Sequence, residues 1–140
     1  MCKFCAIARG ESAAHIVFED EASLAFLDHR PLFHGHLLLI TRDHHTTLTD
    51  LPEELVGPLF TTARLLATVV EEAMAAEGSF VALNNRVSQS VPHLHVHIVP
   101  RRRKDGLRGF FWPRHRYDDD AQMATVAAKI RAVAEAWATK

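Results

Sequence analysis

The stretch VPHLHVHIVP, residues 91–100, carries three histidines at alternate positions: His93, His95 and His97. In an extended strand, residues i and i+2 share a face and lie roughly 6.6–7 Å apart. The spacing predicts a strand over 93–99 with three imidazoles on one side and Leu94, Val96 and Ile98 on the other, facing a core. Imidazole binds metals, attacks electrophiles and exchanges protons near neutral pH. A strand that needed only solubility would carry Thr, Lys or Glu on that side. Zinc–nitrogen bonds are about 2.0–2.1 Å, so neighbours at i and i+2 can share one ion. His93 and His97, roughly 13 Å apart along a strand, are not expected to share it without bending the chain. At least one histidine is therefore left for nucleophilic or acid–base work.

Other metal-ligating types stand elsewhere in the chain. Cys2 and Cys5 form a C-x-x-C at the N-terminus, and His44 and His45 follow an apolar run. On its own the cysteine pair fits a redox couple or two inert thiols as well as a metal site. Together with an available histidine pair it is a candidate for tetrahedral zinc. The basic run Arg101-Arg102-Arg103-Lys104 reads as a solvated loop.

Periodicity supplies the elements that must position these residues. His15 to Phe18 reads as a strand, Glu19 to Glu21 as a turn and Ser23 to Asp28 as a second strand. His36 to Thr41 is nearly continuous in apolar residues, the pattern of a strand covered on both faces. Asp50, Pro52 and Glu53 resemble a helix start, with Asp50 as the N-cap. Leu55, Leu59, Leu66, Val70 and Met74 then trace a helical stripe ending near Gly78. Gly57-Pro58 inside it predicts a kink or a late start. Ser79 to Leu83 is a fourth strand, Asn84 to Ser90 a polar loop and His93 to Val99 the fifth strand. Asp118 to Asp120 opens a last helix with a buried stripe of Met123, Val126, Ala127, Ile130, Val133, Ala134 and Trp137. Its acidic start and Lys140 at its end suit the helix dipole.

These elements amount to an α+β domain on a mainly antiparallel sheet. At 140 residues and 15.7 kDa the chain suits a single domain. A net charge of -1 gives no global basic field to draw it to a nucleic-acid polymer or a membrane. Two cysteines are too few for a disulfide scaffold. No run approaches the roughly 20 apolar residues of a membrane helix, and the first ten residues carry Lys3 and Arg9 where a signal peptide would be apolar. The expected compartment is the cytoplasm.

The motifs together resemble the histidine triad (HIT) superfamily, whose signature alternates histidine and apolar residues as His93-Leu94-His95-Val96-His97-Ile98-Val99 does. Cys2-Lys3-Phe4-Cys5-Ala6-Ile7 is similar to the N-terminus of many bacterial members. Gly35-His36-Leu37-Leu38-Leu39-Ile40 followed by His44 is similar to a family strand, and Gln89-Ser90-Val91-Pro92 to the usual lead-in. The resemblance covers about residues 1–103.

It implies a HIT-like fold: a five-stranded, mainly antiparallel sheet with one long helix and a C-terminal helix. It further implies a single HIT domain over 1–140, with a core at 1–103 and an aromatic, basic tail and helix at 104–140. The activity implied is hydrolysis at the α-phosphate of a dinucleoside polyphosphate or nucleotide conjugate. His95 would be the nucleophile, forming a covalent nucleotidyl-histidine that water opens. His97 would hydrogen-bond phosphate or leaving-group oxygens and help protonate what departs. Gln89, Ser90, Asn84 and Asn85 would meet the phosphate, Asp28 the ribose, and Leu27 and His29 would flank the base. One structural zinc per chain would be held by Cys2, Cys5, His44 and His93, and the protein would be a homodimer. A phosphorylase or nucleotidyltransferase, or a non-catalytic nucleotide-binding module, are the alternatives.

The chain departs from the family pattern in its loop Asn84-Asn85-Arg86-Val87-Ser88-Gln89, which is about two residues short and lacks glycine. Arg86 adds a charge there. The segment 105–114 reads as a packed loop, and the resemblance adds a wall of the substrate cleft or a dimer contact; by the same resemblance the basic run at 101–104, close to the histidine strand, suits a polyphosphate.

Overall fold

A computed structural model describes residues 1–108 and 114–138 of the chain. Residues 109–113, the centre of the aromatic segment, and residues 139–140, Lys140 among them, lie outside the described residues. The chain divides into two units, Met1–Asp105 and Gly106–Lys140.

The first unit is built on one sheet of five strands: β1 (Ile16–Glu19), β2 (Ser23–Leu27), β3 (Leu37–Thr41), β4 (Gly78–Ala82) and β5 (His95–Arg101). Their order is β1-β2-β3-β5-β4 and every pairing is antiparallel. This is the expected α+β class with its antiparallel five-stranded sheet. The first hairpin closes on Asp20, whose Oδ1 accepts from the N–H groups of Ala22 and Ser23 at 2.9 and 2.8 Å. That side-chain turn explains why an acidic residue stands there.

Apolar alternation sends the side chains to two cores. Ala25, Leu37, Leu39, Leu94, Val96 and Ile98 cluster on one face with Leu59, Ala63, Leu66 and Val70 of helix α2 (Glu53–Ala73). Leu24, Phe26, Leu38 and Ile40 cluster on the other with Phe4 and Ile7 of helix α1 (Lys3–Ala8). β3 lies inside the sheet, is covered on both faces and is buried at every residue, as its unbroken apolar run predicts.

Three local expectations give way to the structure. Asp50 does not cap α2. Its Oδ2 accepts from the Thr47 hydroxyl at 2.7 Å and the Thr47 N–H at 3.2 Å, closing a separate 3₁₀ turn at Leu48–Asp50. α2 does not start late either: it begins at Glu53 and continues as helix through Pro58 to Ala73. Its buried residues all follow the proline, so packing on the sheet holds it where local propensity would not. The basic run is the third case. Arg101 clasps Asp105 through two bonds of 2.6 and 2.9 Å, Arg102 donates to the Met74 carbonyl, and Arg103 pairs with Glu77 at 2.5 Å. Instead of a freely solvated loop, Arg101 is held by Asp105 within the run, while Arg102 and Arg103 tie the end of β5 to the end of α2 and the approach to β4.

The second unit contains helix α3 (Asp120–Ala138). It starts at Asp120, and the stripe expected to be buried is not: Met123, Ile130, Val133 and Trp137 are 49–67% exposed. An amphipathic helix needs a partner surface to bury its stripe, and the described part of this unit offers no second element.

Candidate functional site

The antiparallel register places His95 opposite Ile40 and His97 opposite Leu38, both on β3. His93 precedes the first residue of β5, so only two of the three histidines belong to the strand. The face they share is not solvent-facing, as the alternation alone suggested. His93 and His95 are buried and His97 is half-buried. Phe4 of α1 packs against the first two, with its ring centroid 5.2 Å from that of His95 and 6.0 Å from that of His93. The N-terminal helix was not anticipated. The apolar Phe4 between the two cysteines was its one signal.

Around His93 the chain assembles a group of metal-ligand types. One ligand atom each from Cys2, Cys5, His44 and His93 lie within 4.8 Å of one another. His93 Nε2–H donates to the Thr41 carbonyl at 2.7 Å. That bond leaves the Nδ1 lone pair towards the two sulfurs, 3.4 Å from Cys2 Sγ and 3.5 Å from Cys5 Sγ. His44 Nδ1 stands 3.2 Å from Cys5 Sγ. Two thiols and two imidazoles are the donor set of tetrahedral zinc, and a carbonyl that holds the far side of a ligating imidazole is the usual outer support. The residues fit the ion. Burial first, then the neighbouring Cys2, push the Cys5 thiol up, so zinc uptake would release its proton. The ion would fix the N-terminal segment and α1 to the sheet.

The next histidine has a different arrangement. His95 Nδ1 lies 2.7 Å from the His93 carbonyl, which can only accept, so Nδ1 carries the hydrogen. Nε2 is then the ring's lone-pair nitrogen, the form a nucleophile requires.

His97 joins a third group with Asp28 and His36, whose ligand atoms also lie within 4.8 Å of one another. His36 Nε2 is 3.0 Å from His97 Nδ1 and 3.6 Å from Asp28 Oδ2. Burial lowers the His36 pKa despite Asp28. Burial, then the positive fields of His95 and His36, push His97 down to about 4. Both rings are neutral at pH 7.

The loop before β5 is occupied with its own bonds. Asn85 Oδ1 accepts from the Leu48 N–H at 2.9 Å, and Asn84 Nδ2 donates to the Ser88 carbonyl at 3.3 Å. Gln89 donates to the Thr46 carbonyl at 2.6 Å and accepts from the Arg86 N–H at 2.9 Å. Ser90, Leu27 and His29 are exposed, and Asp28 is half-buried with Oδ1 accepting from the Arg30 N–H at 2.9 Å. Arg86 and Ser88 adopt φ of 70° and 62°. These are left-handed values that glycine would take without strain.

Comparison with known proteins gives this geometry relatives. The HIT domain family model matches residues 9–104. The adenylylsulfatase HINT3 of Arabidopsis thaliana is 35% identical over 108 residues, 76% of this chain and 55% of that protein. The asymmetrical bis(5'-nucleosyl)-tetraphosphatase of Schizosaccharomyces pombe is 33% identical over 94 residues, 66% and 52% of the two chains. The adenosine 5'-monophosphoramidase HNT1 of Saccharomyces cerevisiae is 35% identical over 122 residues, 85% and 74%. This chain thus spans about half the length of the first two. Among solved structures, a HIT family member from Bacillus subtilis superposes with a TM-score of 0.84 at 30% identity, covering 94% of this chain and 95% of that one. A zinc-bound histidine triad family protein from Mycobacterium smegmatis reaches a TM-score of 0.73 at 34% identity, covering 91% and 96%.

Proposed function

For this chain, which belongs to the HIT domain family, we propose hydrolysis of nucleotide conjugates or dinucleoside polyphosphates at the α-phosphate. The observation that carries the reading is the state of His95: its Nδ1–H is engaged by the His93 carbonyl, and its Nε2 lone pair is free to form a bond. Three relatives support the substrate class, since their names specify a sulfate conjugate, a tetraphosphate and a phosphoramidate of nucleotides.

In the proposed reaction His95 Nε2 forms a bond to the α-phosphorus as the bond to the leaving group breaks, its electron pair departing with that group. Water then attacks the same phosphorus as the Nε2–phosphorus bond breaks, its electron pair returning to His95; the water gives up a proton to solvent and the nucleoside monophosphate leaves. Splitting one displacement into two lets a neutral imidazole serve. His97 meets phosphate or leaving-group oxygens. Asp28 accepts from ribose hydroxyls, and Ser90, Gln89, Asn84 and Asn85 contribute donors to the phosphate once a ligand re-forms the loop's internal bonds. Cys2, Cys5, His44 and His93 hold one structural zinc. The reading includes a homodimer in the cytoplasm; among the described residues no helix is long and apolar enough to cross a membrane.

The test is nucleoside monophosphate release from a panel of adenosine phosphoramidates, adenylyl sulfate and diadenosine polyphosphates. His95→Ala removes the nucleophile and is expected to abolish release with its thermal transition retained. Activity surviving in that variant refutes the nucleophile. A nucleoside diphosphate made only with added inorganic phosphate points to the phosphorylase instead.

A further inference from the structure

The loop between β4 and β5 places an arginine where its backbone is strained. The Val87 N–H donates to the Asn85 carbonyl at 2.9 Å, closing a three-residue turn with Arg86 at its centre and a φ of 70° there. A turn of that hand is rare and strained for a residue with a Cβ, and glycine or asparagine takes a positive φ more readily. Asn85 stands one place earlier and does not occupy the position. The turn is also tied down. The Arg86 N–H donates to Gln89 Oε1 at 2.9 Å, Gln89 Nε2 donates to the Thr46 carbonyl at 2.6 Å, and Asn85 Oδ1 accepts from the Leu48 N–H at 2.9 Å. Those bonds leave the Arg86 side chain outside. It is exposed, and its guanidinium has no partner among the described residues. Val87 beside it is 81% exposed, which marks the turn as the outer end of the loop.

The groups assigned above to the reacting phosphate and the ribose carry no positive charge. Gln89, Ser90, Asn84 and Asn85 are neutral, burial keeps His97 neutral at pH 7, and Asp28 is an acid. Zinc does not alter the balance, since two thiolates offset the charge of the ion they hold. Each further phosphate of a polyphosphate brings negative charge, and removing it from water without a cation is unfavourable. Arg86 is the one cation of the loop. A guanidinium also presents the planar pair of donors that a phosphate matches.

We propose that Arg86 is a specificity-determining residue that binds an anionic leaving group beyond the α-phosphate, so that this chain favours polyphosphate conjugates over those that release an amine. This rests on the hydrolase reading above and narrows its substrate class. A tetraphosphate and an adenylyl sulfate release an anion, whereas a phosphoramidate does not. The α-phosphate is met by His95 and by Gln89 and Ser90 close to β5, and a cation at the outer end of the loop meets what lies beyond it. The strain at Arg86 has a place in this reading. A turn that served only to connect two strands would be more stable with glycine at its centre.

Binding can be read without turnover in zinc-loaded, full-length protein carrying His95→Ala, by calorimetry with diadenosine pentaphosphate and adenosine monophosphate as probes. In that background Arg86→Gln should weaken the pentaphosphate about 10-fold, the loss of one charge-assisted bond, and the monophosphate less than about twofold. Arg86→Lys should recover part of the loss, and the loss should shrink as salt rises. In the active protein the kcat/KM ratio of diadenosine tetraphosphate to adenosine phosphoramidate should fall about 10-fold in Arg86→Gln. A parallel fall for adenylyl sulfate extends the site to sulfate, and an unchanged value confines it to phosphate. Arg86→Gly should show the same loss of pentaphosphate affinity with a denaturation midpoint equal to or above that of the wild type. An unchanged pentaphosphate affinity in Arg86→Gln overturns the proposal. So does equal weakening of the two probes, which would put Arg86 on the α-phosphate, or a lowered midpoint in Arg86→Gly, which would make the arginine a support of the loop. If the wild type releases no nucleotide from any substrate, the hydrolase reading fails, while the calorimetry still decides the contact.

Discussion

Three histidines of one motif differ because each ring's far nitrogen is held by a different group: the Thr41 carbonyl for His93, the His93 carbonyl for His95 and His36 for His97. Residue types and their two-residue period pointed to imidazole chemistry in the sequence, and the C-x-x-C pointed to a ligand-type group that the fold brings together with His44 and His93. The partners of His93 and His97 were not legible, since they lie 52 and 61 residues away in the chain. One measurable consequence is acid sensitivity. Burial, then His95 and His36, lower His97 from 6.5 to about 4. The unfolded chain therefore binds a proton between those values that the folded chain refuses. Stability from this group is complete above pH 6.5 and lost as pH falls towards 4. A shift of that size corresponds to roughly 3 kcal/mol. Urea unfolding at pH 7.5 and 4.5 should show wild type losing about 2–3 kcal/mol more than His97→Gln over that interval. Parallel losses in the two proteins would mean that His97 is not held neutral.

At the scale of elements, the five strands were readable because each alternates or runs apolar in the way its burial demands, and register followed from that pattern. The start of α2 was misread because Asp50 offers the same capping chemistry to the 3₁₀ turn it closes with Thr47. The glycine-less loop before β5 is a similar case: its left-handed residues are Arg86 and Ser88, so no glycine marked them. A glycine does mark the entrance to β3. Gly35 has φ of +95°, and a Cβ there would stand 2.7 Å from Met74 Cγ and 3.2 Å from Pro100 Cγ. The next residue is His36, so the turn that seats this buried ring also abuts the end of α2. Gly10 provides a control, with φ of +76° and nothing within 4 Å of a Cβ. Gly10→Ala carries only backbone strain, about 1–2 kcal/mol. Gly35→Ala adds displacement of Met74 and should destabilise by about 2–4 kcal/mol. Denaturant midpoints of the two variants measure the difference, and equal shifts would remove the packing contribution at Gly35.

For the molecule as a whole, the two units differ in how far sequence patterning described them. The helical period of the last segment was read correctly, and α3 is a helix. The burial inferred from it was not, because an apolar stripe states that a helix has a partner face without saying which surface supplies it. Both apolar clusters, the Cys2–Cys5–His44–His93 group and the Asp28–His36–His97 group are drawn entirely from Met1–Asp105. The HIT domain match ends at residue 104, at the same place. A core of that completeness should fold without the second unit. A chain ending at Asp105 is expected to unfold in one cooperative transition and to bind one zinc per chain by metal analysis, the same stoichiometry as is proposed for the full chain. Cys5→Ser should abolish that zinc in both, because removing one thiolate leaves three ligands and opens the tetrahedron to water. Loss of cooperative unfolding in the shortened chain would show that residues 106–140 complete the core. A full complement of zinc in Cys5→Ser would remove the metal from the cysteine pair altogether, leaving the thiols as packing for α1.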